Sequence, residues 1–362
     1  MALITQQVTE ALASYRERFR GRAESAATAV IWLAIAVLFL WAAFAQTQLF
    51  VVGIIVGSVL ALGAIGLTLI YGILRFANFA HGDTMMLGAY FAFLFLTGTL
   101  VGERANVDVD LGLSLDQLPG ATSRLGDLSF GYGFLIAMAL AAVLIAAFSI
   151  ALDRLVYRPL RRRQSGIVIF AVASLGVAFS IRALMLIIWG PDPRFYIPGI
   201  HKAQHYPFGV VLKTDQIFIF AAALSIAAVM YFVLFHTKLG KAMRAIADNP
   251  DLATVSGINT DRVIVWTWAL GGALMAIAGV FLALQALLKP ELGFGLILPL
   301  FAATILGGIG KPHGAFIGAM VVGVTQEVSI EFFSAGYKPA VAFVILILIL
   351  LLRPRGLFGT TS

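Results

Sequence analysis

The chain has 362 residues, of which 60% are hydrophobic and 12% charged, with 36 glycines, no cysteine and a formal net charge of +7. Typical soluble proteins are about 45–50% apolar and about 25% charged, so one or two soluble domains of this length could not hide the apolar surface. A disordered chain would be polar and highly charged, and a disulfide-stapled domain needs cysteine. Long continuous apolar runs predict instead an all-α polytopic membrane protein, and they do not alternate as the short strands of a β-barrel would.

Taken in chain order, the runs long enough to span are Thr28–Ala45, Leu49–Gly72, Thr84–Gly102, Tyr132–Asp153, Gly166–Trp189, Asp215–Phe235, Val263–Leu288 and Gly314–Phe333. Leu298–Gly310 and Pro339–Leu352 are apolar but short. The sum is about 8–10 transmembrane helices, and the short Gly/Pro-interrupted segments are candidates for broken or re-entrant helices. Ala43-Phe44-Ala45 resembles a cleavage site, but the run before it is long for a signal peptide, whose apolar region is about 7–15 residues. An uncleaved signal-anchor is expected. In residues 1–27, Val8, Leu12, Tyr15 and Phe19 recur at helical spacing before Arg16–Arg22, as in a basic amphipathic helix on a membrane surface.

With the N-terminus inside, most basic residues fall on inner segments, in the clusters Arg16–Arg22, Arg158–Arg163 and Lys238–Arg262. This is the positive-inside pattern and predicts that both termini are cytoplasmic. The basic balance is then a topology signal and needs no nucleic-acid partner. Two long outer loops follow, an acidic insertion at 103–131 and a proline-rich segment at 190–214.

Between two spans, Arg75–Gly88 reads RFANFAHGDTMMLG. Asn78, His81 and Gly82 there could line a pathway at a bend, since irregular backbone at membrane depth persists only beside a cavity or inside protein. No second His or Cys stands at ligand spacing, so no metal site is expected. In the inner segment His236–Arg262, helical composition over Lys241–Asp248 is interrupted by Pro250, restarts at Asp251–Val255 and ends at Gly257. Such a helix-turn-helix suits docking into a partner's groove, and equally an ordinary connector. Gly310, Gly314 and Gly318, like Gly53 and Gly57, recur every four residues, a spacing that lets helices approach closely. The glycine cluster fits neither a phosphate loop nor a dinucleotide fingerprint. His81-Gly82 and His313-Gly314 faintly suggest an internal repeat.

Few charges lie within the spans. Arg182 sits about 10 Å from the Trp189 end of its helix, and Glu327 and Glu331 share a face. Either glutamate could pair with Arg182, meet a substrate ammonium or meet a soluble partner. No carboxylate stands deep in a span with an obvious partner, which argues against a proton relay.

Several motifs together resemble a known family: Asn78-Phe79-Ala80-His81-Gly82 with Gly88-Ala89-Tyr90, Tyr157-Arg158-Pro159-Leu160, Gly240–Ala247 with Ala253 and Gly257-Ile258-Asn259, Gly271–Gly279, Gly307–Gly310, and Arg353–Gly359. Their order and spacing over residues 48–359 resemble the LivH-type permease subunits of branched-chain amino acid ABC importers. The N-terminal extension, the 103–131 insertion and the arginines after Leu160 depart from that pattern. The resemblance implies a permease that translocates branched-chain or related amino acids across a bacterial inner membrane. It further implies a second, LivM-type permease, two cytoplasmic ABC ATPase subunits that use ATP, and a periplasmic substrate-binding protein. The chain itself would then be no enzyme and hold no cofactor. Thr237–Asn259 would couple to the ATPase, with Gly240, Arg244, Ala253 and Gly257 as its key positions. The alternatives are a urea or short-chain amide importer permease, and a stand-alone ion-coupled carrier.

Overall fold

The structure is a computed structural model, and it describes residues 29–101, 108–110, 114–197, 199 and 203–359. The expected basic helix of residues 1–27 and part of the 103–131 insertion lie outside the described residues. The fold is a helical bundle: α1 (Ala29–Ala45), α2 (Thr47–Leu74), α3 (His81–Thr97), α4 (Tyr132–Leu152), α5 (Arg158–Arg162), α6 (Ile167–Trp189), α7 (Thr214–His236), α8 (Lys238–Asp248), α9 (Pro250–Val255), α10 (Thr260–Gln285), α11 (Leu292–Gly307), α12 (Pro312–Val328) and α13 (Lys338–Leu352). The described strands form two small antiparallel pairs in loops, β1 (Thr99–Val101) with β2 (Asp108–Asp110) and β3 (Gln204–His205) with β4 (Val211–Leu212).

Among the described residues, 6 helices are long and apolar enough to cross a membrane. The Thr84–Gly102, Leu298–Gly310 and Gly314–Phe333 expectations become helices at α3, α11 and α12 that are each shorter than these, and the described part of Thr28–Ala45 is helical as α1. α3 and α11 both begin earlier than their hydropathy suggested, at His81 and Leu292. The first turn of α3 holds polar His81 and Asp83, and α11 contains Pro299, so hydropathy alone misplaces both starts.

α2 and α10 form the centre. Each buries 67% of its most apolar window, whereas α4, α6 and α7 bury 22–28%. A helix that is apolar all round belongs in an interior, and one that exposes an apolar face must meet lipid or another chain. α2 and α12 run antiparallel along their whole length, with Gly53 against Val324, Gly57 against Met320 and Gly72 against Gly310. The glycine spacing read from the sequence therefore marks helix contacts at Gly53, Gly57, Gly314 and Gly318. Gly310 instead forms a turn at φ 78.

The bundle has a basic end, with Arg75, Arg158–Arg163 and the α8–α9 hairpin, and a far end with the 190–214 loop and the α12–α13 connection. Two interruptions set its inner architecture. After α2 reaches the basic end, residues 75–80 turn back along it: His81 Nε2 lies 2.9 Å from the Gly63 carbonyl oxygen. At 1.5 Å per residue, that places the start of α3 about 16 Å inward from Leu74. After α10 reaches the far end, residues 286–291 turn back in the same way before α11. Leu288 there exchanges two backbone hydrogen bonds with Arg194, at 2.8 and 2.9 Å. α3 and α11 thus start at mid-depth and leave toward opposite ends. Their first turns touch: a Cβ on Gly82 would collide with the Gly293 carbonyl, and one on Gly293 with that of Gly82. Gly82 thus faces Gly293, whereas Gly314 packs on Gly307.

Candidate functional site

The 75–80 segment is held by side chains, because its backbone leaves the helical ladder. Arg75 caps α2 in the left-handed region at φ 55. The Asn78 Oδ1 accepts from the Ala80 N–H at 3.1 Å and from the Tyr157 hydroxyl at 3.4 Å. The Phe79 N–H donates to Ser174 Oγ at 3.0 Å. Tyr157 stacks on Trp268 with ring centroids 5.2 Å apart and packs beside Phe76. The Asn78 and Tyr157 motifs, distant in sequence, meet here. A carbonyl can only accept, so His81 Nε2 is the donor to Gly63, and among the described residues its buried Nδ1 has no partner. Asn78, His81 and Gly82 are all buried within the chain.

Where the first turns of α3 and α11 meet, Arg182 of α6 forms a two-pronged ion pair with Asp83. Its Nε and one terminal nitrogen each donate to the carboxylate at 3.0 Å. The Asp83 side chain is fully buried and that of Arg182 is 16% exposed. The guanidinium also lies over the Phe294 ring at 4.6 Å and near Phe179 at 5.7 Å. A charge in an apolar span is tolerated when paired and hydrogen-bonded. Arg182 is therefore not paired with Glu327 or Glu331, and a carboxylate does sit deep in the bundle with a partner. Asp83 belongs to the motif noticed in the sequence, but nothing local links it to Arg182. The available signal was that each charge needed an opposite one at membrane depth.

Glu327 lies apart from this cluster, at the far end. Lys338 Nζ is 2.6 Å from its carboxylate, and Gln326 Nε2 donates to the Lys338 carbonyl at 2.8 Å. The pair fastens the start of α13 to the end of α12. In the 190–214 loop, Tyr196 donates to the Ala89 carbonyl at 2.8 Å. Burial pushes its phenol well above the ordinary range, so it stays a donor at any physiological pH.

At the basic end, α8 and α9 form a hairpin as the Pro250 and Gly257 pattern predicted. Each helix start is capped locally: Thr237 accepts from the Gly240 N–H, Asn249 from Leu252, and Asn259 from Arg262 at the start of α10. At Gly240 a Cβ would collide with the Leu234 backbone, and Gly257 ends α9 at φ 84. Ala253 packs inward, 4% exposed, while Leu252 and Val255 are 62% and 86% exposed. Arg244 lies over the Phe235 ring at 4.8 Å. The hairpin touches the α2–α3 break through Arg75, which donates to the Ala247 carbonyl at 3.1 Å. Close by, the C-terminal motif docks on the Gly307–Gly310 turn: Leu357 N–H donates to the Leu306 carbonyl at 2.7 Å.

Residues 49–351 match the family described as branched-chain amino acid transport system / permease component. The high-affinity branched-chain amino acid transport system permease protein BraD of Pseudomonas aeruginosa is 33% identical over 316 residues, 86% of this chain and 95% of that one. The corresponding LivH of Salmonella typhimurium is 30% identical, over 85% and 93% of the two chains. The autoinducer 2 import system permease protein LsrC of Yersinia pseudotuberculosis is 29% identical over 63% of this chain and 64% of its own. With its apolar helices and this match over most of its length, the chain is a multi-pass membrane permease subunit and belongs to the branched-chain amino acid transport permease family.

Proposed function

We propose that this permease carries branched-chain or related amino acids across a bacterial inner membrane, with its basic end and both termini in the cytoplasm. It works beside a second, LivM-type permease. A periplasmic binding protein delivers solute at the far end, and two cytoplasmic ABC ATPase subunits supply ATP hydrolysis at the basic end. The observation that carries this reading is the α8–α9 hairpin. It is a self-capped unit seated on the bundle through buried Met243, Ile246 and Ala253, it presents exposed Leu252 and Val255, and its α8 carbonyls hold Arg75. An exposed apolar pair on a rigid short helix suits a partner's groove. Movement of the hairpin would pass through Arg75 to residues 75–80, and so to the mid-depth contact of α3 with α11. There Arg182, the partly exposed member of the cluster, would meet passing solute.

Reconstitution of the full importer in proteoliposomes tests this reading. Uptake of labelled leucine should need ATP and the binding protein, and deletion of Thr237–Asn259 should abolish ATPase capture and uptake. Gradient-driven uptake by this chain alone, or docking retained after the deletion, would overturn it. The likeness to LsrC favours a second substrate reading, a non-amino-acid solute. Competition by unlabelled valine and isoleucine, against a short amide and autoinducer 2, separates the two.

A further inference from the structure

Away from the mid-depth cluster, an apolar cleft of about 380 Å³ runs between α7 and α12, walled by Leu224, Tyr231 and Phe316. It ends at Pro312 and His313. The same two residues line a second cavity of about 270 Å³ at the basic end, whose wall also carries Arg244 and Lys311. The two spaces therefore adjoin: an apolar slot at membrane depth leads into a cationic mouth at the surface. Asp248 also lines that mouth, which leaves it with two cations against one carboxylate. Among the described residues, neither Arg244 nor Lys311 has a carboxylate within ion-pair distance. Arg244 lies over the Phe235 ring near the end of α7. On the cleft's own α7 wall, Leu224 and Tyr231 are 47% and 51% exposed. That face suits hydrocarbon and not water.

We propose that this double cavity is a binding site for one anionic phospholipid, with an acyl chain in the slot and the phosphate between Arg244 and Lys311. Apolar length and cationic mouth in series match an amphiphile with an anionic head. A soluble partner would use only the mouth, and a neutral lipid would leave two cations unanswered. Basic pockets between helices at a membrane surface recognise anionic headgroups in this way. Because the mouth lies under α8, a bound lipid would brace the hairpin against the bundle whatever solute is carried.

The test uses the purified permease complex, delipidated and then exposed to vesicles of phosphatidylglycerol or of phosphatidylcholine, with retained lipid read by native mass spectrometry. Phosphatidylglycerol should be retained in clear excess. Arg244→Gln and Lys311→Gln should each cut that retention about five-fold, the effect of about 1 kcal/mol per basic residue near a headgroup. Ala228→Trp, which fills the slot without touching either cation, should reduce retention of both lipids. Soluble glycerol phosphate should not displace the bound lipid. Equal retention of the two lipids by the unaltered complex would overturn the proposal. So would full phosphatidylglycerol retention in the Arg244→Gln, Lys311→Gln double variant, or displacement by glycerol phosphate alone. Unchanged thermal unfolding of each variant separates loss of the site from loss of the fold.

Discussion

The mid-depth meeting of α3 with α11 and the α8–α9 hairpin are built on opposite principles. At mid-depth, backbone touches backbone at Gly82 and Gly293, and the one charge pair is two-pronged and buried. Nothing can change there without moving a neighbour. The hairpin satisfies its own backbone through Thr237, Asn249 and Asn259, and its outward residues Leu252 and Val255 touch little of the chain. The contrast separates two kinds of sensitivity. Substitutions at mid-depth should disturb folding and transport together, whereas substitutions on the outer face of α9 should leave the fold intact and so isolate the docking proposed for it.

The largest effect is expected at Gly82. Gly82→Val drives a side chain into the Gly293 carbonyl, a collision no rotamer relieves. Overpacking costs about 1–3 kcal/mol and occasionally more; against backbone the cost stands at or above the top of that range, and the variant should not be recovered as a monodisperse protein on size-exclusion chromatography. Next is Asp83→Ala, which leaves Arg182 charged and unanswered at membrane depth. Breaking a buried pair from one side costs about 3–5 kcal/mol. The Asp83→Leu, Arg182→Met double variant should regain most of the thermal stability, because apolar replacement of both partners is often neutral. If the double variant were as unstable as the single one, the pair would be more than a mutual answer between two charges. At the hairpin, Gly257→Ala keeps a left-handed residue at φ 84 and should cost about 1 kcal/mol. That loss should appear as faster hydrogen exchange confined to α9 and the start of α10.

The same contrast explains what could be read in the sequence. The helical class, most spans and the hairpin were legible because they rest on local signals: hydropathy, Pro250 and Gly257. The glycine seams of α2 with α12, at Gly53 and Gly57, and of α12 with α11, at Gly314 and Gly318, were legible because small residues at that spacing let helices approach closely. The two inward turns were not, since a six-residue break looks the same whether it loops outward or doubles back. The start of α3 was hidden by polar His81 and Asp83, which depress hydropathy where the chain is most buried. The partners of Arg182 and Glu327 were hidden for another reason. Ion pairing is decided by tertiary placement, and Arg182 found Asp83 while Glu327 found nearby Lys338.

The smallest effect on stability, and the most direct test of the account, belongs to Leu252→Asp combined with Val255→Asp. Both side chains are exposed, so unfolding of the purified permease should shift by no more than about 0.5 kcal/mol. In proteoliposomes holding the complete importer, the account predicts that ATP-dependent leucine uptake and ATPase capture by this double variant are both lost. Uptake at the unaltered rate, with the ATPase still bound, would contradict it.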